Sequence, residues 1–396
     1  MPTESAFLFA GLLFLAAALG YLFAWFGERD RDDEPRAAPV SRDYLKGLHY
    51  LVDEDADRAL EVFARMAESD EDTLEIHFAL GSLFRKRGEV DRAIRIHQNV
   101  MARPGLDRLQ KGQAQLALAE DYLSAGLLDR AEKLYSQLRD YPEFRERALK
   151  RLLGILERTQ DWEAAIKTHE ELARLTDRRD EVGRLAHYYC ELAEQALAAA
   201  DWPRARQLLR KAAAARPRSV RSLLVRADLA REAGDWRDAR KLYRRAADEA
   251  PWLISEILPR VARLYQDRDD ADGFSRWLDR LLAAHPDAGD DVALAVIADE
   301  AVAVPEAMAQ LSRFIAADPI LAMLVDAASL AQRPADERTA ALQRIRGALA
   351  RLRARGVAYR CRNCGYGSLS LQWQCPGCRQ WESLRPEFRL GPDAGG

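Results

Sequence analysis

The strongest constraint on the fold of this chain is a short pattern that recurs through most of its length. A Gly or Asp at the start of each copy is followed four or five positions later by an alanine. The spacings between successive alanines are 34, 38, 34, 40 and 34 residues. A period of this length is typical of stacked helical hairpins. The six alanines are Ala59, Ala93, Ala131, Ala165, Ala205 and Ala239.

Other positions of the pattern have packing reasons. Two antiparallel helices approach closely only where side chains are small, so a Gly or Ala twelve residues before the alanine should face it. An aromatic residue usually stands nine residues before the alanine, and others stand four residues after it; these aromatics fill the space between successive hairpins. Prolines such as Pro217 and Pro251 end second helices. The pattern resembles the tetratricopeptide-repeat family over residues 44–252. The fourth and fifth copies depart from it, since Leu153 and Gly154 are shifted and Ala196 replaces an aromatic residue.

Tetratricopeptide hairpins stack into a superhelix whose concave wall is formed by the first helix of each hairpin. Such a wall suits an extended peptide or a partner helix, so the predicted function is protein binding. The repeat register places seven polar residues on the wall, and we expect them to contact partner proteins. They are Arg85, Gln113, Glu120, Glu194, Arg221, Asp228 and Arg231. Residues 253–356 continue the helical pattern with a fading consensus, which indicates degenerate hairpins that close the array.

Residues 1–27 are predicted to form an amino-terminal transmembrane anchor. The run Phe7–Phe26 contains no charged side chain, and twenty helical residues match the roughly 30 Å hydrocarbon core of a bilayer. The preceding residues lack the basic region of a cleaved signal peptide. Residues 28–43 form a polar linker. Ala16 and Gly20 have the small-x-x-x-small spacing that would let two spans pack, so a homodimer is one open alternative.

The arginines after the span predict its orientation. No Lys or Arg precedes the span, whereas Arg29, Arg31, Arg36 and Arg42 follow it. Basic residues near a span resist translocation, so the bulk of the chain is expected on the cytoplasmic side of a cell inner membrane.

Residues 357–389 contain two C-x-x-C pairs and are predicted to be a small metal module. Four thiolates at this spacing, Cys361, Cys364, Cys375 and Cys378, favour one tetrahedral iron or zinc ion. The pattern resembles the rubredoxin-like or zinc-ribbon class. A tight cluster in a large chain indicates metal ligation in a reducing compartment. Iron and zinc both remain open, and a dithiol redox pair fits less well because there are two knuckles.

Composition and missing motifs narrow the function further. Lys plus Arg total 60 and Asp plus Glu total 63, so the whole chain offers no basic field for nucleic acid. No phosphate-binding loop, dinucleotide fingerprint, H-E-x-x-H or nucleophile-elbow motif is present. The expected class is therefore a mostly α-helical scaffold and not an enzyme. A membrane-tethered rubredoxin-like electron carrier is the alternative.

The order of the three modules, ending in Y-x-C-x-x-C-G-Y and W-x-C-P-x-C knuckles, resembles the lipopolysaccharide assembly protein B family over the whole chain. Membership would imply an inner-membrane adaptor that restrains lipopolysaccharide synthesis. It would imply that a membrane-bound ATP-dependent protease degrades the lipid A pathway deacetylase with the adaptor's help. The resemblance also implies that lipopolysaccharide assembly proteins gather around the adaptor.

Overall fold

The computed structural model describes residues 46–47, 49–50, 56–69, 74–176, 182–317, 332–355 and 358–387. The predicted anchor 1–27 and linker 28–43 lie outside the described residues. Among the helices that are described, none combines the length and the apolar composition that crossing a bilayer would require.

The described residues form sixteen α-helices followed by three short strands. The helices are α1 Ala56–Ser69, α2 Leu74–Lys86, α3 Val90–Met101, α4 Arg108–Ser124, α5 Leu128–Leu138, α6 Pro142–Thr159, α7 Trp162–Leu175, α8 Val182–Ala198, α9 Trp202–Ala215, α10 Val220–Glu232, α11 Trp236–Glu249, α12 Ile254–Gln266, α13 Ala271–Ala284, α14 Gly289–Ala298, α15 Val304–Ala317 and α16 Ala335–Arg355. Two 3₁₀ turns, Pro251–Leu253 and Pro286–Ala288, precede α12 and α14. The tetratricopeptide architecture predicted from the repeat is confirmed.

The Gly or Asp that opens each copy of the pattern controls the turn between the helices of a hairpin. Asp161, Asp201 and Asp235 each accept a hydrogen bond from the backbone N–H three residues later, which caps α7, α9 and α11. Gly88 and Gly126 have φ of 80° and 75°, a left-handed conformation that favours glycine and ends the preceding helix. The recurring turn residues therefore set the helix boundaries.

Contacts divide the chain into two compact units, the first ending at Ala148 and the second beginning at Leu149. In the first unit, α2 packs on α3 and α4 packs on α5. A Cβ added at Gly81 would lie only 2.4 Å from Nε2 of the buried His97 ring. His97 bonds through Nδ1 to Asp121, which also accepts from Arg85 Nη1 at 2.6 Å. A small residue is therefore required where this polar group is buried.

The recurring alanines lie in the interior of the hairpins in both units. All six are fully buried, and the side chains four residues later are buried as well. These later positions include Phe63, His97 and Tyr135 in the first unit, and His169 and Tyr243 in the second. The packing role predicted for these positions is confirmed.

A continuous apolar core runs through the second unit from α10 to α16. It extends from Leu223 through Leu258 and Val296 to Leu342. The helices after residue 253 therefore share a core with the preceding hairpins, although the repeat consensus has faded there. Leu371 and Trp373, near the carboxyl end, also pack against this core.

The carboxyl-terminal strands form a small sheet that carries the cysteines. The strands are β1 Tyr359–Cys361, β2 Gly367–Ser368 and β3 Leu384–Pro386, in the order β2-β1-β3. Both pairings are antiparallel, with Tyr359 opposite Ser368 and Cys361 opposite Leu384. The central strand therefore ends at the first of the four cysteines.

We expect Gly81→Ala to destabilise the first unit by about 1–3 kcal/mol, because the new methyl group collides with a buried ring that cannot withdraw. The free energy of unfolding in urea measures this. Gly154→Ala is the matched control, since no atom lies within 4 Å of its added Cβ and the position is an exposed helix interior. It should be neutral or stabilising by up to about 1 kcal/mol. Equal effects of the two substitutions would contradict the assigned packing.

Candidate metal centre and its contact with the repeats

The four cysteines converge on one point. Their sulfur atoms all lie within 4.8 Å of one another. The Cys361–Cys378 and Cys364–Cys375 sulfur pairs are each 3.6 Å apart. Four thiolates about 2.3 Å from a central ion would have sulfur atoms about 3.8 Å apart, so the spacing fits a tetrahedral metal site. The arrangement can hold one ion, and both iron and zinc accept four sulfur ligands.

Tight turns hold the cysteines in this geometry. Gly365 follows the first pair with φ of 75°. In the second pair, a Cβ on Gly377 would lie 3.3 Å from the Cys364 sulfur, so a larger residue would crowd the site. The Asn363 N–H donates to the Cys361 sulfur at 3.4 Å, and the Cys361 thiol donates to the Ser383 hydroxyl oxygen at 3.2 Å. The Asn363 N–H would stabilise the thiolate that a metal requires.

The thiols differ in how readily they ionise. Burial would raise the pKa of Cys361, but its hydrogen bonds with Ser383 and with neighbouring amides outweigh burial and lower the pKa to about 6. Burial raises the pKa of Cys375 to about 12. A hydrogen bond with Asn363 is the main cause of a lowered pKa at Cys378. Metal binding would therefore have to displace the proton of Cys375.

In the second unit, the metal module lies against the first helices of successive hairpins, namely α6, α8 and α10. Glu157 of α6 is buried and accepts three hydrogen bonds there. Trp381 Nε1 and Gln374 Nε2 of the module donate to it at 3.1 Å and 2.9 Å. The Tyr188 hydroxyl of α8 donates at 2.5 Å. One carboxylate therefore joins the module to two repeat helices.

An aromatic and ionic cluster forms the second part of this contact. The His187 ring of α8 stacks on Trp381 with 4.6 Å between ring centroids. Glu382 lies 3.2 Å from His187 Nε2 and accepts from Arg216 Nη1 at 2.9 Å. Burial would raise the pKa of Glu382, but His187 and Arg216 outweigh it and lower the pKa to about 2. Arg216 is therefore the permanent cationic partner, because burial lowers the pKa of His187 and favours its neutral form.

Arg221 of α10 contacts the module through the Trp373 ring. It is almost fully buried, and its guanidinium lies 5.9 Å from the Trp373 ring centroid. It donates twice to Glu194, at 3.0 Å and 2.8 Å, and once to Glu191 at 2.8 Å. Two of the residues predicted to contact partner proteins, Arg221 and Glu194, therefore lie at an internal contact.

The other predicted partner-binding residues lie on first helices, and those with a described contact form local pairs. In the first unit, Gln113 is exposed and Glu120 accepts from Arg147 at 3.1 Å. Arg85 takes part in the Asp121 network described above. In the second unit, Asp228 accepts from the Tyr243 hydroxyl at 2.5 Å, and Arg231 pairs with Asp267 at 3.0 Å. No described contact tests their predicted role.

Three residues of the contact between the metal module and the repeats were not predicted from the sequence. Glu157 lies in an irregular copy of the repeat, and Glu382 lies after the cysteine motif. His187 belongs to no motif, and neither does the nearby Cys190, a buried thiol whose pKa burial raises to about 12. Cys361, Cys364, Cys375 and Cys378 form the only group of potential metal ligands found in the described part of the chain. In the sequence, only the two tryptophans of the module, Trp373 and Trp381, indicated that the module packs against another surface.

Fold and site together define a tetratricopeptide-repeat scaffold with a rubredoxin-like metal module docked on its first helices. The tetratricopeptide-repeat family model matches residues 44–105 and 190–251, and a rubredoxin metal binding domain model matches residues 359–386. A lipopolysaccharide assembly protein B from Escherichia coli K12 is 34% identical over 95% of this chain and 97% of its own. The chain belongs to the lipopolysaccharide assembly protein B family.

A second relative is similar in sequence over nearly the whole chain, whereas a solved repeat structure is similar only in part. The lipopolysaccharide assembly protein B of Haemophilus influenzae is 33% identical over 95% of this chain and 98% of its own. The solved carboxyl-terminal part of a repeat protein from Cytophaga hutchinsonii covers 61% of this chain and 95% of its own, at 15% identity and a TM-score of 0.42. That structural similarity is too low to support a functional argument.

We expect Glu157→Ala to destabilise the docked module by about 2–4 kcal/mol, since three donors lose their acceptor in a buried contact. Urea unfolding followed by tryptophan fluorescence measures the loss, and limited proteolysis reports release of the module. Glu163→Ala removes an exposed carboxylate that pairs with Arg204 at 2.8 Å, and should cost less than about 1 kcal/mol. Similar costs for both variants would show that Glu157 is not a central contact.

The contact should weaken as the pH falls below about 6.5, the ordinary pKa of histidine. Burial lowers the pKa of His187 in the folded chain, so the unfolded chain binds the extra proton first and stability declines with acidification. Above pH 5, Glu382 stays ionised because its pKa is about 2. His187→Phe keeps a ring against Trp381 and should flatten the dependence between pH 7.5 and 5.

The measurement is thermal unfolding at several pH values, with His285→Phe as the matched variant. His285 is half-buried, and its Nε2 lies 3.9 Å from Asp248 Oδ1. It should retain the pH dependence of the unchanged chain. The assignment fails if His187→Phe keeps the full dependence.

Proposed function

We propose that this chain is an inner-membrane adaptor that regulates lipopolysaccharide synthesis. In this proposal, it promotes turnover of the lipid A pathway deacetylase by a membrane-bound ATP-dependent protease and coordinates assembly proteins. The name shared by its relatives in Escherichia coli and Haemophilus influenzae supports a role in lipopolysaccharide assembly. The predicted span Phe7–Phe26 supports the membrane location, with the bulk of the chain on the cytoplasmic side.

The docked metal module is the observation that carries the adaptor role. Tetratricopeptide hairpins bind proteins through their first helices, and here part of that wall holds the chain's own module. Contacts from Glu157, His187 and Arg221 fix the module in place. A partner would therefore meet a composite surface of helices and metal module, and metal loss would change that surface without removing any repeat.

The main alternative is a membrane-tethered rubredoxin-like electron carrier. The partly open metal site is the feature that favours it, because Cys364 is exposed to solvent whereas Cys361 and Cys375 are buried. A reversible change of iron absorbance coupled to a reductase would support this alternative. Zinc in the site together with intact regulation would exclude it, since zinc has no redox chemistry. We favour a structural ion and a non-catalytic scaffold.

Affinity purification from membranes tests the adaptor proposal. The intact chain should retain the protease and the deacetylase, whereas a chain with Cys→Ser at the four cysteines should lose at least one of them. A chain that lacks residues 1–27 should lose partners that require the membrane. Cys190→Ser is the control for loss of a thiol, because this buried residue lies outside the metal cluster. Recovery of neither partner with the intact chain would overturn the proposal.

A further inference from the structure

An exposed basic face lies on the second helices of two successive hairpins in the second unit. The six side chains of this face line a shallow concavity of about 340 Å³. Those on α11 are spaced by three, four and seven residues, so they share one side of the helix. The basic face consists of Arg237, Arg240, Lys241 and Arg244 on α11 and Arg276 and Arg280 on α13.

The charges of the basic face are largely unneutralised. Asp270 is the one acidic residue in the lining, and its Oδ1 already accepts from the Gly273 N–H at 2.8 Å. It reaches Arg276 only at 4.0 Å. Some exposed arginines elsewhere in the second unit do have a close carboxylate, as in Arg204–Glu163 at 2.8 Å. Within the described residues, the five other cations of the face form no ion pair at 4.0 Å or less.

The cations of the basic face repel one another when no anion is bound. Residues four apart on a helix are neighbours, and like charges there repel each other. The basic face contains three such pairs, Arg237 with Lys241, Arg240 with Arg244, and Arg276 with Arg280. The whole chain has a formal net charge of −3, so this positive field is local. Repulsion of this kind is relieved when an anionic surface covers the cations.

Aromatic rings hold part of the face in position. The guanidiniums of Arg237 and Arg240 lie 5.9 Å and 5.0 Å from the Trp236 ring centroid, and Arg268 adds a third at 4.6 Å. Trp277 and Tyr265 form the buried floor of the concavity. Stacked guanidiniums lose less freedom when they bind an anion, and their fork geometry suits phosphate oxygens.

We propose that the basic face binds the phosphate headgroups of anionic phospholipids at the surface of the membrane. Six cations spread over two helices match a surface of many mobile phosphates, which can move beneath each guanidinium. A span at Phe7–Phe26 would keep the face at high effective concentration near those lipids. The inference rests on the proposed membrane association and is independent of the proposed protein partners.

The full chain in lipid nanodiscs provides the test. The discs contain either phosphatidylcholine alone or an equal mixture with phosphatidylglycerol, and exposed lysines are acylated and quantified by mass spectrometry. Lys241 of the basic face should react roughly threefold more slowly in the anionic discs, because a bound headgroup covers it. Lys133, exposed on α5 of the first unit, should react equally in both. High salt should abolish the protection of Lys241.

Two variants isolate the charge of the face. Combined Arg237→Gln, Arg240→Gln and Arg244→Gln keeps Lys241 as the reporter and should remove its protection. Combined Arg92→Gln, Arg95→Gln and Arg130→Gln removes the same charge from exposed positions of the first unit and should leave protection intact. Circular dichroism verifies that both variants are folded.

Each other outcome overturns the proposal. Equal protection of Lys241 in neutral and anionic discs would show that proximity to the bilayer, and not headgroup charge, covers it. No protection in anionic discs, with protection by an RNA oligonucleotide or an acidic peptide, would assign the face to those partners. Neutral discs that fail to retain the chain would contradict the anchor itself, which separates failure of the membrane association from failure of the basic face.

Discussion

The contact between the metal module and the repeats depends on one buried carboxylate. Glu157 accepts hydrogen bonds from Trp381, Gln374 and Tyr188, and so joins a small sheet to helices α6 and α8. A module of this size has little core of its own, and metal and docking together must hold its shape. The adaptor proposal follows from this contact, because it turns two separate elements into one composite surface.

Charge is arranged locally in this chain, and total composition hides that arrangement. The nearly balanced count of acids and bases argued against a basic field, yet six cations of α11 and α13 line one concavity whose lining contains a single acid, Asp270. In contrast, the wall under the module pairs its charges closely, with Arg221 held by Glu191 and Glu194. The two surfaces therefore suit different partners, one internal and fixed, the other external and anionic.

Much of the architecture could be predicted from the sequence because each repeat contains the small residues that close helix packing requires. The alanine period located the hairpins, and the spacing of Cys361 to Cys378 located the metal module, because helix contacts and metal ligation both require particular residues at fixed separations. The docking could not be predicted, since Glu157 and Trp381 are 224 residues apart and neither belongs to a motif. For the same reason, the position of Arg221, 5.9 Å from the Trp373 ring centroid, could not be predicted from its place in the repeat register.

We infer that the metal-held module is fixed on the first helices and shapes their binding surface. Amide hydrogen exchange on the full chain, with metal bound and after removal by a chelator, tests this most directly. After metal removal, we expect faster exchange in the module and also in α8 and the end of α6, which contact it through His187, Tyr188 and Glu157. Faster exchange confined to residues 358–387, with both helices unchanged, would contradict it.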